Sequence, residues 1–375
     1  MDEELIYIIA LARMRGIGAI RARLLMETFG SAKGVFEADA KLLSQIPQVG
    51  NLILEQRNDA TLTERAKREI EFNETHHIRA LVFGQEGYPK RLMECIDAPA
   101  LLLYLGNANL ESKHILSIVG TRSCTQYGRD MVGDLVSELK NAVPDIVIVS
   151  GLALGIDVSA HKAALSNDVP TVGVVAHGLD RIYPAVHRNI ASQMVAQGGG
   201  IITEYFTGTE PDRGNFIARN RIIAGLADAT LVAESKDKGG SLVTASIALD
   251  YHRDVFAFPG RTTDDRSRGC NRLIRTNRAA LITCADDLLT AMGWSNGCKV
   301  GNQRATQYTL PFEEENLSPI GRRIIDTLQD RGDLRITQLL DALPDVERAT
   351  MLEELLNLEM NDKVRTCPGG IYQKK

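Results

Sequence analysis

The chain has 375 residues, of which 44% are hydrophobic and 24% charged, and a formal net charge of −5 at pH 7. These values are typical of a soluble globular protein of two or three domains, and the negative charge argues against a generally basic nucleic-acid binder. No apolar run reaches the ~20 residues of a membrane span, and an N-terminus that is acidic before it is apolar is unlike a secretory signal. Six scattered cysteines without a CxxC pair indicate neither a zinc site nor a disulfide framework, so a cytoplasmic protein is expected.

Residues 1–80 are predicted to form a helical domain. Arg15–Ser31 places Gly16 and Gly18 ahead of an amphipathic helix, and Leu42–Gln56 repeats this theme with Pro47 and Gly50. Two helices joined by a tight glycine turn are typical of a helix-hairpin-helix or SAM-like domain, whose turn amides can bind a phosphate. A small helical bundle with ordinary glycine turns fits the same pattern and is the more common explanation.

Residues 81–107 are predicted to be an irregular connecting segment, after which the period of the apolar residues changes. Strand-like apolar runs then alternate with stretches of helical spacing. Such βα alternation with near-continuous apolar strands predicts a mostly parallel sheet covered on both faces, here a Rossmann-like, doubly wound α/β domain over residues 108–293. The predicted strands are Ile115–Val119, Ile146–Val149, Thr171–Ala176, Ile201–Glu204, Thr230–Glu234, Val255–Phe258 and Ala280–Thr283.

The polar stretch 294–317 lacks periodicity and is predicted to be a linker. Residues 318–375 begin with Ser318 as a helix cap and Pro319 at the first helical position. Helices at about 319–330, 336–343 and 345–359, followed by strand, Pro-Gly-Gly turn and strand, give the element order of a winged helix. From Phe312 to Lys375 there are 13 acidic against 9 basic residues, so this domain is expected to contact mostly protein.

Glycine, small polar and basic residues follow the predicted strands. Open α/β sheets bind ligands outside the carboxyl ends of their strands. Glycine lets the backbone approach a phosphate, a helix N-terminus offers free N–H groups, and a guanidinium binds oxygens as a fork. Arg219 and Arg221 flank Asn220 at the predicted opening of a helix, and Phe216 just before them either stacks on a base or packs in the core. The predicted phosphate site comprises Gly120, Arg122, Ser150, Gly151, Phe216, Arg219, Asn220, Arg221, Lys236, Gly239, Gly240 and Ser241.

The sequence lacks the motifs of several classes of enzyme that act on small molecules. A GxGxxG sequence with a ribose-binding acid and a GxxxxGK[ST] sequence are both lacking, which argues against a dinucleotide enzyme and a Walker-type ATPase. Ser150, Asp157 and His161 lie close enough for a hydrolytic site, but Asp157 and His161 are better explained as hydrogen-bonded neighbours on one helix face. Glu204 is the other catalytic candidate, with a cap or salt bridge as its structural alternative. No cluster has the spacing of metal ligands.

Segments from Ser117 to Thr283, among them SIVGTRSCTQYG, IVSGLALGIDVSAHKAAL, FIARNRIIAGLADATLVAESKDKGGSLVTA and GCNRLIRTNRAALIT, resemble the DNA-processing protein A (DprA/Smf) family in the right order. The resemblance implies a single-stranded DNA-binding protein of natural transformation that protects incoming strands and loads the RecA recombinase onto them. It also implies a homodimer through the Rossmann-like domain, with no cofactor and no enzymatic activity. Because only 5% of the residues are aromatic, binding is expected to depend mainly on charge.

Two other readings remain open. A nucleotide phosphoribohydrolase of the lysine-decarboxylase-like lineage would carry a PGGxGT signature with a catalytic Glu and Arg. This chain has FPGRTTDD over Phe258–Asp265 and KGGSLVTA instead, so that pattern is not met. A purely structural helix-hairpin-helix adaptor would leave the central arginines unexplained.

Overall fold

The computed structural model describes residues 3–46, 50–294, 317–360, 363–367 and 370–374. The chain divides into two compact units, one on each side of the stretch 295–316. In the described residues, no helix combines the length and the apolar character that crossing a membrane would require.

The N-terminal region is helical, as predicted. Ser31, Asp39 and Asp59 cap three of its helices by accepting hydrogen bonds from backbone N–H groups. Leu25, Leu43 and Ile53 are fully buried among these helices. Pro47 lies outside the described residues, and the helix-hairpin-helix assignment stays a prediction. The helices of this region are α1 (Glu3–Arg13), α2 (Ala19–Phe29), α3 (Ala32–Glu37), α4 (Ala40–Ser44), α5 (Gly50–Gln56) and α6 (Ala60–Thr75).

The stretch 81–107 is not an irregular connection, contrary to the sequence prediction. It holds most of strand β1 (Arg79–Val82), then the short helix α7 (Lys90–Met93) and strand β2 (Leu101–Gly106). β1 pairs antiparallel with β2, so a long helix between them is not needed. The βα alternation that marks the later strands is therefore missing here. Leu101 and Leu103 pack against the N-terminal helices, while Leu102 and Tyr104 face the core of the sheet.

All seven strands predicted after residue 108 are present, with ends shifted by a few residues, and helices separate them. In chain order the elements are β3 (Ile115–Val119), α8 (Gln126–Ala142), β4 (Val147–Ser150), α9 (Ile156–Ser166), β5 (Thr171–Val174), α10 (Arg188–Ala196), β6 (Gly200–Thr203), α11 (Arg213–Leu226), β7 (Ala229–Val232), α12 (Gly240–Asp250), β8 (Asp254–Ala257), α13 (Arg268–Arg275), β9 (Ala280–Leu281) and α14 (Ala285–Met292).

The strands form one sheet in the order β1-β2-β6-β5-β4-β3-β7-β8-β9. Neighbours from β6 to β9 are parallel, whereas β1 and β2 are antiparallel additions at one edge. Alternate residues of β3 enter two cores, Ile115 and Val119 on one face and Leu116 and Ile118 on the other. This confirms the α/β class and the mostly parallel central sheet. The strand order reverses between β3 and β7, which is the point where such sheets bind ligands.

The C-terminal unit contains α15 (Pro319–Arg331), β10 (Leu334–Arg335), α16 (Ile336–Ala342), α17 (Arg348–Met360), β11 (Val364–Cys367) and β12 (Ile371–Lys374). Ser318 Oγ accepts the N–H of Gly321 at 2.8 Å, as expected for the predicted cap. The strands form a small sheet in the order β10-β12-β11. Pro368 and Gly369 of the predicted turn lie outside the described residues, as does most of the predicted linker 294–317. The winged-helix assignment stays a prediction.

Candidate functional site

A cavity of about 780 Å³ opens beyond the carboxyl ends of β3 and β7, where the strand order reverses; we call it the switch-point cavity. The loop after β3, the N-terminal part of α9, one face of α11 and the loop leading into α12 surround it. Its lining residues are Val119, Gly120, Thr121, Arg122, Ala153, Asp157, Arg213, Phe216, Ile217, Arg219, Asn220, Ile223, Lys236, Lys238, Gly239, Gly240, Ser241, Val243 and Thr244.

The buried carboxylate of Glu234 holds the loop that carries Arg122 in place. Glu234, just after β7, accepts hydrogen bonds from Thr125 N–H at 2.8 Å and Thr125 Oγ1 at 2.6 Å. Thr125 is the cap of α8, so the negative charge of Glu234 lies at a helix N-terminus, where the helix dipole favours it. The N–H of Thr121 also donates to the carbonyl of Glu234 at 2.8 Å. The loop is therefore tied to the end of β7.

The opposite wall is the start of α12. Gly239 is its cap residue, and Gly240 has no other atom within 4 Å of where a Cβ would stand. Ser241 donates its hydroxyl to Ser235 Oγ at 3.0 Å, which fixes the turn. Backbone N–H groups in the first turn of a helix have no partner within the helix. Because Gly239–Ser241 line the cavity, these amides are placed to bind an anion.

Four basic side chains at the cavity are unpaired. Arg122, Arg213, Lys236 and Lys238 are exposed, and within the described part of the chain none of them forms an ion pair. The one acid among the lining residues is Asp157, which is buried. The cavity is therefore positively charged and open to an anionic ligand.

Arg219 forms the floor of the cavity and is not one of its free cations. It is 3% exposed, and its Nη1 donates to the carbonyl of Gly151 at 2.6 Å and to that of Val174. Burial lowers the pKa of Arg219 to about 10, so the side chain keeps its charge at neutral pH. Burial raises the pKa of Asp157, and the charge of Arg219 opposes that rise.

The predicted opening of a helix at Arg219–Arg221 is wrong. Helix α11 begins at Arg213, after Asp212, whose side chain accepts the N–H of Gly214 at 2.7 Å. Successive residues of a helix point about 100° apart, so Arg219 and Asn220 reach the cavity and Arg221 does not. Arg221 is paired with Glu204 instead, and lies 3.9 Å from Asp97.

Two further predicted residues do not line the cavity either. Ser150 is completely buried, and its hydroxyl donates to the carbonyl of Ile118 at 2.6 Å, which links β4 to β3. Gly151 lies behind Arg219, where a Cβ would stand 2.6 Å from Asp157 Oδ2 and closer still to Arg219 Nη1. Both residues therefore support the site from behind. The predicted residues that the structure brings together are Gly120, Arg122, Phe216, Arg219, Asn220, Lys236, Gly239, Gly240 and Ser241.

An aromatic pair borders the cavity. Phe216 is half-buried, and its ring centroid lies 5.8 Å from that of Tyr183, a residue that is 48% exposed. The guanidinium carbon of Arg122 lies 5.2 Å from the centre of the Phe216 ring, a cation–π distance. Sequence reasoning missed Tyr183, because nothing local indicates which ring it meets. It also missed Arg213, because the helix start was placed too late.

The hydrolytic candidates have structural roles. His161 is buried, its Nδ1 lies 2.7 Å from Thr171 Oγ1, and its Nε2 has no hydrogen-bond partner among the described residues, so it is not hydrogen-bonded to Asp157. Glu204 forms the salt bridge that was its structural alternative. Among the residues that the structure describes, no three His, Cys, Asp or Glu side chains are grouped to hold a metal ion.

Sequence comparison gives a consistent set of relatives. The family model described as DNA recombination-mediator protein A matches residues 79–293, which includes the strands β1 and β2. Protein Smf of Synechocystis sp. is 34% identical over 415 residues, covering 100% of each chain. DNA processing protein DprA of Streptococcus pneumoniae is 42% identical over 202 residues, which is 54% of this chain and 70% of the relative.

Solved structures agree with the sequences. The X-ray structure of DNA processing protein A from Streptococcus pneumoniae has a TM-score of 0.64 and 32% identity, and the match covers 77% of this chain and 98% of that one. A structure of DNA processing protein A from Helicobacter pylori, which is described by its single-stranded DNA binding mode, has a TM-score of 0.51 and 31% identity over 57% of this chain and 95% of that one. The chain belongs to the DNA recombination-mediator protein A (DprA/Smf) family, whose members act in DNA processing.

Proposed function

We propose that the protein is a single-stranded DNA-binding recombination mediator and that the switch-point cavity holds the DNA backbone. The observation that carries the proposal is a set of four exposed basic side chains around one cavity with a helix N-terminus in its wall, none of which forms an ion pair with a described residue: Arg122, Arg213, Lys236 and Lys238. Each cation that meets a phosphate releases a condensed counterion, so affinity rises with their number and falls with salt.

The roles of the other lining residues follow from where they lie. The amides of Gly239–Ser241 bind phosphate oxygens at the start of α12. Asn220 offers a neutral donor, and Arg219 contributes its charge from the floor while holding the ends of β4 and β5 in place. Phe216 and Tyr183 offer rings on which unpaired bases stack. A duplex keeps its bases inside, so this combination favours a single strand.

The wider role in recombination rests on the family resemblance. Under the proposal, the protein works in the cytoplasm, in natural transformation, protects incoming single strands and loads the RecA recombinase onto them. It acts as a homodimer through the sheet-containing domain, without a cofactor and without catalysing a reaction. Support comes from the family's description as a recombination mediator and from the relatives named DNA processing protein.

The C-terminal unit is proposed to bind protein more than DNA. Its third helix, α17, carries Glu353, Glu354 and Glu359 against the single basic residue Arg348, and Leu352 and Leu356 are exposed on it. A helix that reads DNA needs a positive charge to approach the phosphates. Acidic and apolar side chains suit a protein surface better.

Fluorescence anisotropy with a labelled oligo-dT strand and a duplex of equal length tests the DNA-binding proposal. The double variant Arg122→Ala with Lys236→Ala removes two exposed cations, so single-strand affinity at low salt falls about tenfold or more and the slope of log affinity against log salt decreases by about 1 per side chain. Lys162→Ala, which removes an exposed cation outside the cavity, is the matched control and leaves binding unchanged. Unaltered single-strand affinity in the double variant would mean that the cavity is not the DNA site.

A further inference from the structure

A second basic cavity, of about 390 Å³, is formed where α1 and α6 meet the loop after β6; we call it the N-terminal cavity. Arg13, Arg65, Arg68 and the loop residues Thr207, Gly208 and Thr209 line it. Arg65 and Arg68 are exposed, and they lie three residues apart on α6, so their side chains lie on the same face of that helix.

A buried acid fixes the floor of this cavity without neutralising it. Glu69 forms a salt bridge with Arg13 at 2.6 Å, and its side chain is completely buried. It also accepts the N–H of Thr207 at 3.1 Å and the hydroxyl of Thr207 at 2.6 Å. The loop is thereby tied to α6, and the charge of Glu69 is balanced by Arg13.

The side chains of Arg65 and Arg68 are left without an acid within ion-pair distance. Among the described residues, neither side chain forms an ion pair or a hydrogen bond, and the charge of Arg65 acts on Asp59 and against that of Arg13. Like charges that face one cavity destabilise each other unless an anion joins them. The N-terminal cavity therefore has the charge of an anion site.

The two cavities lie along the same edge of the sheet. Thr207–Thr209 follow β6, which runs parallel to β5, as β5 does to β4 and β4 to β3. Three strand spacings of about 4.8 Å separate β6 from β3, so the cavities are on the order of 15 Å apart. The chain passes directly from Thr209 to Arg213, which lines the switch-point cavity.

The stretch between the cavities offers an aromatic surface. The exposed ring of Tyr183 lies in the loop after β5, beside Phe216. The acids Asp180 and Glu210 share the single cation Arg181, at 3.0 Å and 3.3 Å, which leaves one negative charge uncompensated. A strand leaving the switch-point cavity would thus pass the Tyr183 ring before it reaches Arg65 and Arg68.

We propose that the N-terminal cavity binds the backbone phosphates of the same DNA strand that occupies the switch-point cavity, so that the N-terminal helical region is part of the DNA-binding surface. This inference rests on the proposed function of the switch-point cavity. It assigns to Arg65 and Arg68 the binding of phosphates a few nucleotides along the strand, without selectivity for base sequence.

Oligo-dT strands of two lengths test the inference. A strand of about 3 nucleotides is too short to span the roughly 15 Å between the cavities and occupies the switch-point cavity alone, whereas one of about 20 nucleotides reaches both. Arg65→Ala with Arg68→Ala is expected to weaken binding of the longer strand about three- to tenfold and to lower its salt slope by up to about 2, with the short strand unaffected. Arg65→Lys with Arg68→Lys keeps the charge and retains most of the affinity. Lys67→Ala, an exposed cation on the same helix that does not line the cavity, leaves both strands unaffected.

The outcomes separate the two proposals. If Arg122→Ala with Lys236→Ala weakens both strands while Arg65→Ala with Arg68→Ala weakens neither, the inference fails and the proposed function stands. Equal weakening of the short and long strands by the Arg65 and Arg68 variant also overturns it, because the N-terminal cavity would then not be a distal contact. If the Arg122 and Lys236 variant binds both strands as the wild type does, the proposed function itself fails. Far-ultraviolet circular dichroism of each variant checks that the helices are intact.

Discussion

Arg219 and Gly151 are joined by a hydrogen bond of 2.6 Å from the Nη1 of the arginine to the carbonyl of the glycine. The bond connects the middle of α11 to the end of β4, and a second bond from the same nitrogen reaches Val174 at the end of β5. One buried guanidinium thus holds two strand ends and a helix together directly beneath the switch-point cavity. Its charge supports anion binding, and its position sets the shape of the cavity floor.

Gly151→Ala is expected to lower the free energy of unfolding by about 1–3 kcal/mol, because the added Cβ overpacks the site. The new atom would stand 2.6 Å from Asp157 Oδ2 and closer to Arg219. Urea denaturation measures the loss. Gly240→Ala is the control, since nothing lies within 4 Å of its Cβ position, and it leaves stability within about 0.5 kcal/mol. Equal stability of both variants would show that Arg219 and Asp157 move aside at no cost.

The sequence predicts the parallel part of the sheet well, for a physical reason. Strands buried on both faces are near-continuous apolar runs, and helices of full length separate them. The residues at their carboxyl ends then converge by topology alone, which is why the sequence places Gly120, Arg122 and Lys236 at one edge of the sheet, where all three line the same cavity. β1 and β2 escape prediction because an antiparallel pair needs no crossover helix.

The direction of each side chain on α11 was not predictable in the same way. Arg219 and Arg221 look equivalent in the sequence, but an error in the start of a helix changes the face assigned to every residue after it. Contacts between distant segments are a second limit. The pairing of Tyr183 with Phe216 and the salt bridge of Arg13 with Glu69 depend on tertiary structure that no local pattern contains.

Arg221→Ala is expected to lower stability without weakening DNA binding, and Arg122→Ala to weaken DNA binding without lowering stability. Loss of Arg221 leaves the partly buried Glu204 without its partner, so the free energy of unfolding falls by about 3 kcal/mol, while the folded variant retains single-strand affinity. Arg122 is exposed, so its loss weakens binding and leaves stability nearly unchanged. Denaturation and anisotropy on both variants check this. A binding defect in correctly folded Arg221→Ala would restore Arg221 to the DNA site.

Stability is expected to fall with acidification because of His161. Burial lowers the pKa of its imidazole from the ordinary value of 6.5 to about 3. Below pH 6.5 the unfolded chain therefore takes up a proton at this residue that the folded chain does not, and stability is lost as the pH falls toward the folded value. Between pH 6.5 and 5 the loss is about 2 kcal/mol.

Urea denaturation at pH 6.5 and 5 measures this loss in the wild type and in His161→Asn. Asparagine keeps a polar group beside Thr171 but does not titrate, so the difference between the two pH values shrinks by about 2 kcal/mol in the variant. The comparison uses the pH difference within each protein, so a general destabilisation of the variant does not affect it. An unchanged pH difference would show that other groups cause the acid sensitivity.

Removing the ring of Phe216 or Tyr183 is expected to affect single-strand binding differently from removing a basic side chain. Stacking of a base on an aromatic side chain contributes about 1–3 kcal/mol, so Phe216→Leu or Tyr183→Leu weakens single-strand binding by roughly 5- to 150-fold. Leucine fills much of the same volume and removes the ring. Because no counterion is released at a ring, the salt slope stays at the wild-type value, in contrast to Arg122→Ala. Anisotropy titrations across a salt series separate the two kinds of contact.

A strand without bases, made of abasic sugar phosphates, is the control for this prediction. If the rings act by stacking, this strand binds the leucine variants and the wild type equally. A difference in its affinity between them would show that the aromatic pair shapes the cavity instead.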